Sequence, residues 1–278
     1  MTQTIKELRS SIDAIDRQLV RLLHERSQFV KEVGAIKQQV QTPGACFIRS
    51  GREAEMVRNM HAVFKDNLFP APAAAHMWRI IISASLSLES PLLVSAYGPE
   101  TQQEIYWYAR EYFGNFTPIS KEPTTRRVLS EVIDGRAQVG VLPLPDDSAE
   151  GKWWLKLPAN VKIFACVPFV LPKGGQVKAL AVAKLEPENT GDDVSLFSIE
   201  IESDVSQSRI KGVLDNHSLE QRWLTVDIFA SGHRMHLIEI KGFVTESHDF
   251  VREMKSALGT SLLAIAWLGA YALPIQLP

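Results

Sequence analysis

Residues 5–39 read IKELRSSIDAIDRQLVRLLHERSQFVKEVGAIKQQ, a run without a proline. Ile5, Leu8, Ile12, Ile15, Leu19, Leu22, Leu23, Phe29, Val30, Val33 and Ile36 step by three and four, the spacing of one apolar stripe on a long helix. At about 1.5 Å per residue such a helix runs roughly 50 Å, more than the width of a small domain. Its own short neighbours cannot cover that stripe, so it needs a partner.

The cations on this helix are spaced informatively. Arg26 and Lys37 fall within about 20° of one face and roughly 16 Å apart along the axis, which leaves a gap between their side chains the size of a small dianion. Arg9 lies roughly 25 Å before Arg26 and about 100° round the helix. It cannot reach that gap in its own chain, but it can reach the equivalent gap in an antiparallel twin.

The 278 residues, 45% of them hydrophobic, suffice for two modest domains or three small ones. A net charge of −2 and the lack of a basic block argue against nucleic-acid binding. The opening residues Met1-Thr2-Gln3-Thr4-Ile5-Lys6 carry no apolar secretory run, so the cytoplasm is the expected compartment. Cys46 and Cys166 are far apart and lack neighbours at metal spacing, so both are expected as ordinary small buried or half-buried residues, with no metal and no cofactor. The apolar tail, residues 261–278, is broken by Gly269 and Pro274 and is shorter than the ~20 residues of a membrane span. It is expected as a buried strand and its exit, with no membrane contact.

Pro43, Gly44 and Gly51 mark a loop after the first helix. A second helix is expected from about Arg52, with Met56, Val57, Met60, Val63 and Phe64 on one side, closed by Pro70 and Pro72. A third runs over about 73–88, and Pro91 ends the unit.

The runs Leu8-Arg9, Ile15-Asp16, Leu22-Leu23-His24-Glu25-Arg26, Val33-Gly34-Ala35-Ile36-Lys37, Arg52-Glu53-Ala54-Glu55 and Trp78 through Glu89 resemble the all-helical class of chorismate mutases, in order and at matching spacing over residues 5–90. The resemblance implies an intertwined homodimer in which each active site borrows one arginine from the other chain. It further implies that Arg26 and Arg9 of the partner subunit hold the two carboxylates of chorismate, and that Lys37 and Glu89 point at the ether oxygen. Glu53 would accept from the ring hydroxyl, and Arg52 and Ser85 would complete the polar lining. Chorismate rearranges to prephenate in a Claisen-type pericyclic step without nucleophile, metal or redox cofactor. The protein must hold a compact conformer and stabilise negative charge developing on the ether oxygen. A carboxylate facing that oxygen would oppose the charge, so Glu89 is expected as a neutral donor and activity is expected to fall as pH rises above neutrality. Arg49-Ser50-Gly51 departs from the family's loop, where relatives carry acidic residues.

From Leu92 the periodicity changes to short strands and helices: 93–97, a helix through Tyr106, Ala109 and Phe113, another over 128–133, then strands over 139–142 and 161–171. This order resembles the first lobe of prephenate dehydratase. Glu100-Thr101-Gln102-Gln103-Glu104, Pro145-Asp146-Asp147-Ser148 and Val177-Lys178-Ala179 stand where that family carries its chemistry, so no dehydratase activity is expected. Residues 194–273 read strand, helix, strand, strand, helix, strand and resemble the ACT regulatory domain, though Asp204-Val205-Ser206-Gln207-Ser208 replaces its glycine-led effector turn.

The expected architecture is therefore multidomain: an all-α three-helix intertwined-dimer domain (1–90), an α/β lobe (91–190) and a ferredoxin-like α+β, ACT-like domain (191–278). The expected function is chorismate mutase with a non-catalytic C-terminal half and no cofactor, acting on chorismate as a homodimer or higher oligomer. Two readings compete: a non-catalytic sensor of chorismate or an aromatic amino acid that binds a pathway enzyme, and isochorismate pyruvate-lyase side activity. His233 and His236 are expected as surface residues in or beside a hairpin turn, and Trp153-Trp154 as packing at a lobe edge.

Overall fold

A computed structural model describes residues 4–40 and 47–277, apart from the side chain of Val40. The expectation for Cys46 lies outside the described residues, whereas Cys166 is buried. The first helix, α1, is Ile5–Val40. Thr4 and Glu7 close its start reciprocally, the Glu7 carboxylate accepting from Thr4 N at 2.8 Å and Thr4 Oγ1 accepting from Glu7 N at 3.3 Å. Only its last third is covered: Arg26, Val30, Gly34 and Lys37 lie against the chain, while Ile5, Ile12, Ile15 and Leu19 stay 70, 56, 56 and 52% exposed.

Helices α2, Ser50–Phe64, and α3, Ala71–Glu89, bury Ala54 and Val57 of one with Ala75 and Ile82 of the other. Pro70 and Pro72 mark the start of α3, where a missing N–H costs nothing.

The rest is an α/β assembly. Its first part runs β1 Val94–Tyr97, α4 Glu104–Phe113, β2 Ile119–Glu122, α5 Thr125–Ile133, β3 Val139–Pro143, a 3-10 turn at Gly151–Lys156, β4 Lys162–Val167, β5 Val170–Leu171 and β6 Ala179–Ala183. Its second part runs β7 Asp193–Ile201, α6 Gln207–Asn216, β8 Gln221–Ile228, β9 Arg234–Lys241, α7 Asp249–Leu258, β10 Leu262–Ala272 and β11 Ile275–Gln276. One nine-stranded sheet, ordered β2-β1-β3-β6-β4-β10-β7-β9-β8, passes through both parts, and β5 pairs β11 separately. The strands β2, β1 and β3 are parallel, with α4 and α5 as the crossovers.

The second part has the expected strand-helix-strand-strand-helix-strand order and antiparallel pairing, which makes it a ferredoxin-like α+β unit. Phe197, Ile199 and Ile201 on one sheet face pack with Ile210 and Leu214 of α6 and Phe250 and Met254 of α7. The tail forms β10 and β11, the expected buried strand and its exit, and β10 meets β4 at Gly269 and Ile163 while pairing β7 along its length.

Two readings need correction. Strands β2 and β6 were not anticipated, because Ile119-Ser120-Lys121-Glu122 lies on the sheet edge half exposed, and Ala179-Leu180-Ala181-Val182-Ala183 is buried throughout, so neither carries alternation. His236 is not a surface residue: β9 begins at Arg234, and His236 faces the α6–α7 side of the sheet, buried, with both ring nitrogens lacking a hydrogen-bond partner among the described residues. Burial, and secondarily the Arg234 charge, lower its pKa. His233 does lie in the turn, near Glu200 and Glu202. Trp153 and Trp154 are both buried, the former donating to Pro143 O at 2.9 Å.

Among the described residues no helix is long and apolar enough to cross a membrane, and no group of three His, Cys, Asp or Glu is placed to hold a metal ion.

Candidate active site

A cavity of about 320 Å³ opens where the last third of α1 crosses α2 and α3. Arg26, Lys37, Arg49, Arg52, Glu53, Ser85 and Glu89 are its polar lining, and Phe29, Val30, Val33, Phe47, Met56, Ile82 and Leu86 its apolar walls. Six of the seven residues singled out from the sequence therefore meet in one place. The seventh, Arg9, is exposed on the free part of α1 and is not among the lining residues.

The polar side chains other than Arg52 are each held by a specific contact. Gly34 lets α1 approach the end of α3, since a Cβ there would stand 2.7 Å from Glu89 Cα. One turn on, Lys37 Nζ meets Glu89 Oε2 at 2.5 Å, and Gln38 donates to Glu89 O at 2.9 Å. Arg26 Nη1 donates to Ser85 Oγ at 2.5 Å, and Ser85 in turn donates to Ile81 O one helical turn back. Glu53 accepts from Arg79 Nη2 at 2.7 Å, a buried pair, and the Arg79 guanidinium also lies 4.3 Å from the centre of the Tyr112 ring. The other Glu53 oxygen, Oε1, has no hydrogen-bond partner among the described residues. Arg49 reaches out of the cavity to Glu188 Oε1 at 2.8 Å.

The charges decide what the cavity suits. Lys37 is matched by Glu89, Glu53 by Arg79 and Arg49 by Glu188, which leaves Arg26 and Arg52, neither of which meets a carboxylate among the described residues. Burial and the neighbouring Arg52 charge lower the pKa of Arg26, and Glu89 only partly offsets them. Two unmatched guanidiniums in a part-buried cavity with apolar walls favour an anion, and a planar fork suits a carboxylate.

Arg79 was missed as the partner of Glu53. Its signal was present, since Arg79, Ile82 and Leu86 share one helical face, and an arginine on an apolar stripe demands an internal counter-ion.

Elsewhere, a hollow of about 810 Å³ beside α5 is lined by Arg126, Arg127, Arg136, Lys152 and Lys156; Arg127, Arg136 and Lys152 are matched by Glu122, by Glu131 and Asp134, and by Asp227, while Arg126 and Lys156 meet no carboxylate among the described residues. In the turn after β3, Asp146 Oδ1 accepts from Ser148 N and Ser148 Oγ at 2.8 and 2.5 Å, and Ser148 Oγ accepts from Gly151 N at 2.9 Å. Glu150 accepts from the N and Oγ1 of Thr125 at 2.6 and 2.8 Å. These polar groups are committed to local structure.

Comparison with known proteins supports the assignment of the helical unit. The family described as "Chorismate mutase type II" matches residues 8–90. A "Bifunctional chorismate mutase/prephenate dehydratase" of Aquifex aeolicus (strain VF5) is 36% identical over 152 residues, 54% of this chain and 41% of that protein. Another so described, from Neisseria gonorrhoeae (strain ATCC 700825 / FA 1090), is 33% identical over 180 residues, 62% of this chain and 47% of that protein. Both matched stretches are longer than the helical unit, yet they span less than half the length of these relatives. A solved structure described as "GqqA- a novel type of quorum quenching acylases" overlaps 65% of this chain and 94% of its own at a TM-score of 0.51 and 12% identity, a likeness of fold. The match to the chorismate mutase type II family covers the helical unit, residues 8–90, and does not extend over the rest of the chain.

Proposed function

We propose that the protein is a chorismate mutase that rearranges chorismate to prephenate, and that its working unit is a dimer paired through α1. One observation carries the reading. In a cavity whose other ions are matched, Arg26 and Arg52 are lining residues that meet no carboxylate among the described residues, and chorismate carries two.

In this reading Arg26 takes one substrate carboxylate and Arg9 of the partner subunit takes the other, with Arg52 and Ser85 beside them. The Glu53 oxygen left without a partner accepts from the ring hydroxyl, while Arg79 fixes the other. Lys37 turns from Glu89 to the ether oxygen, with Glu89 beside it. The site then works by holding a chair-like conformer and by meeting the charge that grows as the C–O bond breaks. Dimer formation is supported by the apolar residues that α1 leaves exposed over its first two thirds, together with the exposed Arg9 on that stretch.

The chain is read as three units, 1–90, 91–190 and 191–278, the last an ACT-like domain. The two C-terminal units are assigned an assembly or regulatory role without dehydratase chemistry. The use of Asp146, Ser148 and Glu150 in turn structure supports that assignment. Incubation of the purified protein with chorismate, with products resolved, tests both parts. Accumulation of prephenate without phenylpyruvate is expected. Appearance of phenylpyruvate would show that the second half is catalytic, and unchanged chorismate would refute the mutase assignment.

A further inference from the structure

Helix α2 carries Arg52 and Glu53 into the cavity from its first turn, yet its own N-cap residue is Arg49, whose side chain makes no cap hydrogen bond. Arginine is poorly suited to that place, which favours Ser, Thr, Asp or Asn because a short acceptor there can bind the amide two or three residues on. The missing acceptor comes from elsewhere. Glu188, 136 residues away in sequence, accepts from Arg52 N through Oε2 at 3.4 Å. Its other oxygen accepts from Arg49 Nε at 2.8 Å and lies 2.8 Å from Arg49 Nη2. One carboxylate thus serves as the cap of α2 and as the counter-ion of the residue in the cap position.

The contact is close and built. Gly51 lies so near Glu188 that a Cβ on it would stand 2.7 Å from Glu188 Cβ, so a glycine occupies a helical position where alanine is otherwise favoured. The residues that follow Glu188 are fixed. Thr190 donates to Asp193 through its amide at 2.8 Å and its hydroxyl at 2.6 Å. Arg58 of α2 donates to Thr190 Oγ1, Asp192 O and Leu273 O at 3.0, 2.8 and 2.8 Å. Arg49, Arg52 and Met56 form a wall shared by the 320 Å³ cavity and a groove of about 710 Å³ floored by Glu188, Asn189 and Thr190.

We infer that Glu188 is a positioning residue for the chorismate site: it sets the first turn of α2, and with it the placement of Arg49, Arg52 and Glu53. The C-terminal half then acts on the mutase site through one carboxylate, and any displacement of residues 188–190 is felt as a change in substrate affinity. The inference rests on the mutase reading above. Its class of effect follows from where Glu188 acts. Its contacts are with Arg49 and Arg52 and not with the Lys37–Glu89 pair, so it governs KM more than kcat.

The test uses the full chain with Glu188→Ala, Glu188→Gln and, as a control, Glu220→Ala, which removes the exposed partner of Lys241. Two quantities are read: the steady-state constants for chorismate loss, and hydrogen exchange at the amides of Arg52 and Glu53. Glu188→Ala is expected to raise KM at least fivefold with kcat within twofold, and to speed exchange at those amides at least tenfold. Glu188→Gln keeps an acceptor and should show less than half of each effect, and Glu220→Ala none. Gly51→Ala, which pushes Glu188 away, should reproduce the rise in KM. Unchanged exchange at Arg52 and Glu53 overturns the inference, as does faster exchange with KM and kcat both unchanged. If the parent protein fails to consume chorismate, the mutase reading falls, and the exchange result alone then upholds or overturns the capping of α2 by Glu188.

Discussion

Gly34 of α1 and Glu89 of α3 touch backbone to backbone, with room for no Cβ between them. That approach is what allows Lys37, one turn further on, to meet the Glu89 carboxylate at 2.5 Å. A residue without a side chain thus sets the distance between the two groups assigned to the ether oxygen.

Gly34→Ala separates α1 from the end of α3. The overpacking costs about 1–3 kcal/mol, and the better helix propensity of alanine returns at most about 1 kcal/mol, so the variant stays folded with a modestly lower melting midpoint. Turnover of chorismate should drop at least tenfold. A variant with the parent's activity would show that the Lys37–Glu89 distance does not matter.

Arg79→Ala leaves the buried Glu53 carboxylate without its partner, at a cost of roughly 3–5 kcal/mol in denaturant unfolding. The double variant Glu53→Gln/Arg79→Met removes both charges and should recover most of that stability. Its chorismate turnover should remain impaired, because the acceptor assigned to the ring hydroxyl is lost. Full activity in the double variant would remove Glu53 from the site.

Acid stability carries the mark of His236. Its pKa lies below the ordinary 6.5 because burial disfavours the charged ring, with Arg234 adding to the effect. Between that lowered value and 6.5 the unfolded chain binds a proton that the folded chain does not, so stability falls as pH drops below about 6.5. In His236→Phe the slope of unfolding free energy against pH should be shallower in that window. An unchanged slope would assign the acid sensitivity to other groups.

The pairing of two chains through α1 has a direct signature. Arg9→Ala and Lys37→Ala should each be nearly inactive dimers, because each spoils both shared sites. Unfolding and refolding them together in equal amounts should restore about a quarter of the parent activity, since half of the dimers are mixed and each mixed dimer has one intact site. Sedimentation should meanwhile show Leu19→Glu dissociated, as a charge on the apolar stripe opposes pairing. No recovery on mixing would mean that Arg9 acts within its own chain or not at all.

The helical unit was legible because its information is periodic. The apolar steps from Ile5 to Ile36 gave the long helix and the spacing of Arg26 and Lys37 gave their shared face, while Glu53 and Glu89 came from the resemblance to chorismate mutases; all four line one cavity. What could not be read were partners that periodicity does not encode. Arg79 is paired across two helices, and Glu188 reaches α2 from a turn that has no regular pattern. Strand β2 and the burial of His236 were missed for a related reason. A short edge strand and a strand that begins at Arg234, where the residues read as a turn, differ from a turn only through tertiary pairing, β2 with β1 and β9 with both β7 and β8.

The most direct measurement is the rate of chorismate loss with the parent protein and with Lys37→Ala at equal concentration, both checked for the same dimeric state. The account predicts rapid conversion to prephenate by the parent and a loss of about 100-fold or more in the variant, the scale of removing a donor to developing negative charge. Equal rates in the two proteins, or no conversion by a folded parent dimer, would contradict it.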